Sequence, residues 1–398
     1  MSIADPSLQP RNASGHDSIR VMIVDDAIVV RGLLVRWIEA EAGLQVVASL
    51  RSGREAIEQV VRTNPDVVIL DVDMPDIDGI TALPRLFEQK RDLVVIMSST
   101  LTRRNAEVSL RALSLGAADY IPKPESNREI TNSASFRRDL IEKIRALGTR
   151  RKQRLSSARA LPWAVPPARP AEQAASTGLR LVASPDTAPA AEPVTFKLRP
   201  LPVVPPRILL IGSSTGGPQA LGAIVGRISG IIDQAPVLIT QHMPPTFTTI
   251  LAEILERASG RPVREAVDGE ALRAGAIYLA PGGRHLRVVR HDGVPAVALD
   301  DGPQINFCKP AVDPMFSSAA ETWGSWNLAL VLTGMGSDGT RGAADIVAAG
   351  GSVIAQDEET SVVWGMPGSV SKAGLCCAVL PIDQIADKLT SLFSGGRS

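Results

Sequence analysis

The chain has 398 residues, too many for one ordinary core, so two domains and a connector are expected. Hydrophobic residues make up 44% and charged ones 21%, the balance of a soluble globular protein. Lys plus Arg equals Asp plus Glu at 42 each, which gives no pull toward nucleic acid or an anionic membrane.

Residues 1–18 are polar and lack the apolar stretch of a signal peptide, so they read as a disordered tail. No apolar run approaches the roughly 18 residues of a membrane span, so a cytoplasmic protein without membrane insertion is expected. Cys308, Cys376 and Cys377 are too few and too badly spaced for a disulfide framework, and no pair has zinc spacing; they read as core cysteines of a reducing compartment.

From Ile19 short apolar strands alternate with amphipathic helices. Strands are expected at Ile19–Val24, Leu44–Ala48, Asp66–Leu70, Leu93–Met97 and Ala118–Ile121. Helical spacing covers Val29–Glu41, Gly53–Thr63, Ile80–Gln89 and Arg103–Leu115, with a last helix over Phe136–Leu147. This rhythm predicts a (βα)5, flavodoxin-like parallel sheet with helices on both faces, over residues 19–148. A basic cluster, Arg150, Arg151, Lys152, Arg154 and Arg159, then opens a Pro- and Ala-rich stretch, and 149–205 reads as a flexible linker. A second α/β alternation fills 206–398, with strands at Ile208–Ile211, Val237–Thr240, Ala276–Ala280, Leu328–Thr333 and Val353–Ala355. It predicts a doubly wound, mostly parallel sheet. Leu286–Arg290 and Val294–Leu299 flank His291-Asp292-Gly293 and read as a hairpin.

Ligands of a doubly wound sheet bind beyond the carboxyl ends of its strands. Asp25 and Asp26 end the first strand, Asp71 the third, Ser98 the fourth, and Lys123 follows the fifth. Carboxylates gathered there repel one another and call for a cation, and Mg²⁺ suits oxygen ligands and phosphate. Asp71 is then the phosphoryl acceptor, with Lys123 and Ser98 contacting the phosphoryl oxygens. Helix capping is the plainer reading for any one of these acids.

With Leu70-Asp71-Val72-Asp73-Met74-Pro75, Asp78-Gly79, Ser98-Ser99 and Lys123-Pro124, this region resembles a two-component receiver domain. The resemblance implies phosphorylation of Asp71 by a histidine kinase. It also implies Mg²⁺ held by Asp26, Asp71 and the Asp73 backbone carbonyl, with Asp25 helping through water.

In the second half, Gly212-x-Ser214-x-Gly216 follows a strand and precedes a helix, the setting of a nucleophile elbow. Ser214, central between the glycines, is favoured over Ser213. A phosphate-binding loop is the rival reading, but neither a Gly-Lys-Ser/Thr ending nor G-x-G-x-x-G spacing is present. Of four histidines, His16 lies in the tail, His291 on a turn, and His285 follows Pro281-Gly282-Gly283. His242, two residues past a strand end, is the best base. Asp338, in a Gly-rich loop after another strand, is placed to accept from His242 Nδ1–H; Asp301 and Asp313 are weaker candidates. The order Ser…His…Asp differs from that of α/β-hydrolases, so a different doubly wound sheet is expected.

Ile211–Gly217, Thr240–Pro245, Ala280-Pro281-Gly282, Asp301-Gly302-Pro303, Leu332–Gly339 and Val363–Pro367 are similar to the CheB family of chemotaxis protein-glutamate methylesterases. The resemblance covers Ile19–Leu147 and Pro206 to about Leu392. It puts the family's nucleophile, base and acid on Ser214, His242 and Asp338, with Ser213 where alanine is common. It implies hydrolysis of glutamate γ-methyl esters, and deamidation of certain glutamines, on chemoreceptor cytoplasmic helices. Thr215 N–H and the backbone at Met335 are the expected oxyanion donors, and no cofactor is expected for the ester chemistry. A non-catalytic signalling scaffold under receiver control, and a DNA-binding response regulator, are the alternatives.

Overall fold

The computed structural model describes residues 18–124, 134–159, 197–202 and 204–395. Five parallel strands, β1 (Ile19–Val24), β2 (Leu44–Leu50), β3 (Val67–Asp71), β4 (Val94–Thr100) and β5 (Asp119–Lys123), form the first sheet in the order β2-β1-β3-β4-β5. Both faces are covered by helices α1 (Ile28–Glu39), α2 (Gly53–Thr63), α3 (Gly79–Gln89), α4 (Arg103–Ser114) and α5 (Ala134–Arg159). The helix starts are written into the sequence. Ser52, Asp78 and Thr102 accept hydrogen bonds from the N–H three residues on, at 3.3, 2.8 and 3.2 Å. The central strand β3 is buried along its whole length and apolar up to Asp71, because helices cover both faces, as a parallel sheet demands, whereas the edge strand β2 is buried only at its ends.

Helix α5 departs from expectation. It continues past Leu147 to Arg159, through the basic cluster read as the start of a linker. Arg151 explains part of this: its guanidinium, 9% exposed, pairs with Asp66 and Asp92 at the far end of the receiver sheet. Arg150 donates to the Glu358 and Glu359 carbonyls of the second half. The rest of the expected linker up to Phe196, the tail up to Asp17, and the loop 125–133 lie outside the described residues.

The second sheet has seven parallel strands, ordered β14-β13-β12-β6-β7-β9-β8. They are β6 (Ile208–Ser213), β7 (Val237–Gln241), β8 (Val263–Glu265), β9 (Ile277–Leu279), β12 (Asn327–Val331), β13 (Ser352–Gln356) and β14 (Ala378–Leu380). The expected hairpin is present as β10 (His285–His291) and β11 (Val294–Asp300), antiparallel and separate from the main sheet. Helices α6 (Gly217–Val225), α7 (Ser229–Ile232), α8 (Phe247–Ser259), α9 (Val312–Trp323), α10 (Thr340–Ala348), α11 (Met366–Lys372) and α12 (Ile382–Phe393) complete the layers. From β6 the chain winds outward through β7, β9 and β8, then returns to β12 on the other side. The sheet therefore reverses between β6 and β12, and a crevice opens beyond their carboxyl ends.

The two halves share apolar clusters. Leu110, Leu113 and Tyr120 of the first lie in one cluster with Leu221, Phe247 and Leu251 of the second. Among the described residues, no helix is long and apolar enough to cross a membrane.

Candidate active sites

At the carboxyl edge of the first sheet, Asp25, Asp26 and Asp71 place ligand oxygens within 4.8 Å of one another. Asp71 and Ser98 are register partners on β3 and β4, so both face the same crevice. Lys123 Nζ lies 2.6 Å from Asp25 Oδ2 and 2.8 Å from Asp71 Oδ2. Burial pushes the Asp71 carboxyl up to about 6; the Lys123 ammonium opposes this and the Asp25 charge adds to it. One ammonium among three carboxylates leaves excess negative charge, and an all-oxygen donor set fits Mg²⁺. Asp73 is exposed and its carboxylate accepts from Asn105 Nδ2 at 2.7 Å. Gly79 is required here: a Cβ would stand 2.1 Å from the Asp71 carbonyl.

The second crevice collects the other three residues. Ser214 follows β6, its N–H donating to the Thr333 carbonyl at 3.0 Å, so the β6 and β12 loops are stitched together. Gly216 takes a left-handed φ of 76°, which turns the chain into α6 and supplies the kink that presents Ser214. Ser213 is fully buried, and its hydroxyl donates to Gln241 Oε1 at 2.7 Å, which leaves Ser214 as the serine facing the cavity. Gln241 also donates to the Ser214 carbonyl at 2.9 Å. Sequence reasoning did not single out Gln241; its place between a strand end and His242 was the available signal.

Asp338 is buried at the amino end of α9 and accepts from Val312 N–H at 2.6 Å and Asp313 N–H at 3.1 Å. Its Oδ2 also meets His242 Nε2 at 2.6 Å. Burial works to raise its pKa, but the His242 hydrogen bond and charge and these N–H groups outweigh it and hold the carboxyl below its ordinary value. The ring is thus turned opposite to expectation, since Nε2 rather than Nδ1 meets the acid. Nδ1 faces Cys308 Sγ at 3.3 Å. Cys308 is therefore not a core cysteine: it is half-buried and touches the imidazole, unlike the buried Cys376 and Cys377. Among the described residues, the Ser214 hydroxyl makes no hydrogen bond to the ring.

Burial disfavours charge on His242, yet its electrostatic interaction with Cys308 and the hydrogen bond to Asp338 outweigh it and push the imidazole up to about 10. His285 is structural: Nε2 donates to the Pro303 carbonyl and Nδ1 accepts from Ala311 N–H. Asp301 pairs with Arg284 and Asp313 accepts from Gly342 N–H, so neither serves His242. Among the described residues, the Thr215 and Met335 N–H groups have no acceptor, and both residues line the cavity with Ser214 and His242.

That cavity, about 300 Å³, is roofed by the receiver: Tyr120, Ile121 and Pro122 of β5, and Arg138, Glu142 and Lys143 of α5, form its far wall. Thr215 Oγ1 donates to Asp119 Oδ2 at 2.8 Å, Gln219 Nε2 to the Ala117 carbonyl at 3.1 Å, and Tyr120 stacks on Phe247 with centroids 4.6 Å apart.

Comparison with known proteins agrees with both halves. Residues 209–389 match the family model for CheB methylesterase, and residues 21–135 match the response regulator receiver domain. A protein-glutamate methylesterase/protein-glutamine glutaminase of Rhodopseudomonas palustris (strain BisB5) is 58% identical over 398 residues, 100% of each chain. One of the group 2 operon from Bradyrhizobium diazoefficiens is 59% identical, covering 96% of this chain and 95% of that one. The crystal structure of the Thermotoga maritima CheB methylesterase catalytic domain is 44% identical, covering 48% of this chain and 100% of that chain, with a TM-score of 0.45. With full-length relatives at this identity, the chain belongs to the CheB family of protein-glutamate methylesterases/protein-glutamine glutaminases, a receiver domain preceding the methylesterase domain.

Proposed function

We propose that this chain is a phosphorylation-activated serine hydrolase of chemotactic adaptation. It cleaves glutamate γ-methyl esters, and deamidates certain glutamines, on the cytoplasmic helices of chemoreceptors. The observation that carries this reading is that Ser214, His242, Thr215 and Met335 line one cavity at the β6–β12 reversal, with buried Asp338 behind the ring at 2.6 Å from His242 Nε2. Ser214 Oγ attacks the ester carbonyl carbon while His242 takes its proton. The oxyanion forms against the N–H groups of Thr215 and Met335. His242 then returns the proton to the leaving oxygen, and methanol departs; from glutamine, ammonia departs. Water, deprotonated by His242, cleaves the acyl-serine to give glutamate and restores Ser214. Asp338 holds the ring throughout.

Control rests with the first sheet. Asp71 accepts the phosphoryl group from a histidine kinase, with Lys123 and Ser98 contacting its oxygens. Asp25, Asp26, Asp71 and the Asp73 carbonyl would hold Mg²⁺, which supplies charge neutralisation for the transferring group. The docked receiver fills the approach that a receptor helix would use, so phosphorylation shifts the population toward an open form.

The test is methanol release from methylated receptor membranes. Ser214→Ala is expected to abolish release while leaving Asp71 phosphorylation intact; wild-type turnover would overturn the nucleophile assignment. A phosphodonor is expected to raise the rate, and the 206–398 fragment to exceed the unphosphorylated full chain. Equal rates with and without donor would remove the switch. Fluorophosphonate labelling of Ser214 separates the enzyme from a scaffold.

A further inference from the structure

The His242 nitrogen that must turn toward the nucleophile is already engaged. Nε2 is 2.6 Å from Asp338 and Nδ1 is 3.3 Å from Cys308 Sγ. Asp338 can only accept, so Nε2 carries a proton; a neutral ring then accepts the Cys308 S–H at Nδ1. Full transfer gives a thiolate–imidazolium pair. In neither state does Nδ1 offer a free lone pair to the Ser214 hydroxyl. The other charged groups lining the cavity are Lys309 and, from the receiver, Arg138, Asp139, Glu142 and Lys143. Among the described residues, none of these hydrogen-bonds the ring.

The thiol is held in place by a turn that also touches the receiver. Ile305 and Cys308 exchange backbone hydrogen bonds at 3.1 and 2.9 Å, and the two residues between them, Asn306 and Phe307, take left-handed φ values of 49° and 63°. A left-handed phenylalanine is strained and persists only where its surroundings hold it. The Phe307 ring is largely exposed, but the Arg138 guanidinium carbon lies 3.7 Å from its centroid. One short turn thus joins a receiver cation to the catalytic base, through Phe307 and Cys308.

We infer that Cys308 is a positioning residue that keeps His242 in a resting Asp338–His242–Cys308 arrangement, and that undocking of Arg138 from Phe307 lets the ring exchange Cys308 for Ser214. This rests on the reading of Ser214 and His242 as nucleophile and base. It adds to obstruction: the docked receiver covers the cavity and also withholds the base.

The test uses the unphosphorylated full chain. In a Ser214→Ala background, which needs no turnover, the His242 ring is titrated by NMR through its Cε1–H signal. The imidazolium is expected to persist to higher pH with Cys308 present than in Cys308→Ala, by about tenfold or more in proton affinity. Arg138→Ala, on the receiver wall of the cavity, should move it the same way by less. With Ser214 present, Cys308→Ala and Arg138→Ala should each raise donor-free methanol release by about three- to tenfold. Cys308→Ser, whose hydroxyl also donates to Nδ1, should stay near the parent rate. An unchanged His242 titration in Cys308→Ala, or an unchanged donor-free rate, overturns the proposal. Full turnover by Ser214→Ala would instead remove the reading beneath it, and the exchange with it, while the NMR comparison still decides the Cys308–His242 pairing.

Discussion

Asp71 sits 2.8 Å from the Lys123 ammonium, yet its carboxyl is raised to about 6, because burial together with Asp25 outweighs that cation. The sign of the consequence follows from linkage. Between about pH 4 and 6 the folded chain keeps a proton that the unfolded chain has released, so stability falls as pH rises through that window, by up to about 3 kcal/mol. Urea unfolding in Mg²⁺-free buffer at either end of the window should show the loss, and Asp71→Asn should remove it. Added Mg²⁺ favours the carboxylate and should flatten the slope. At the other site, Asp338 is fixed by two α9 N–H groups and His242. Asp338→Asn should therefore keep the fold but slow methanol release by about three to four orders of magnitude, as the wrong tautomer is then favoured.

Helix α5 shows how much a basic run hides. Read along the chain, Arg150 and Arg151 look like a solvated helix end. In the fold, Arg151 is nearly buried against Asp66 and Asp92, and its Nε donates to the Asp92 carbonyl at 2.7 Å. Arg151→Ala leaves the buried Asp66 carboxylate its Arg20 N–H but removes its paired guanidinium, and should destabilise the receiver by about 3 kcal/mol, measured as a lowered urea midpoint. The strand-end acids, the elbow and the hairpin were legible because each depends on neighbours a few residues away, at strand ends or in a turn. The pairing of Arg151 depends on residues 85 and 59 positions distant, and the Cys308 contact on one 66 positions distant. No local pattern encodes such contacts. The three-residue edge strands β8 and β14 escaped notice because they are too short to show a period. The ring orientation of His242 was illegible for a related reason: it is set by which of two partners, on separate loops, reaches which nitrogen.

At the scale of the whole molecule, the face formed by α4, β5 and α5 does two jobs, since it carries Lys123 of the acid pocket and also roofs the hydrolase cavity. On the proposed reading, a phosphoryl group on Asp71 would draw on Lys123 of β5 and Ser98 of β4. Docking and phosphorylation would then be coupled through shared strands, and by linkage anything that loosens docking should ease phosphorylation. The rim pair Arg103–Glu253, at 2.7 Å, tests this without touching either site. Glu253→Arg sets two cations against each other across the interface and should raise donor-free methanol release several-fold. Adding Arg103→Glu restores an opposite pair with the charges exchanged and should bring the rate back down. The pair is solvent-exposed, so added salt should shrink both effects together. A Glu253→Arg rate that the second change does not reverse would mean that these surfaces do not meet when the enzyme rests.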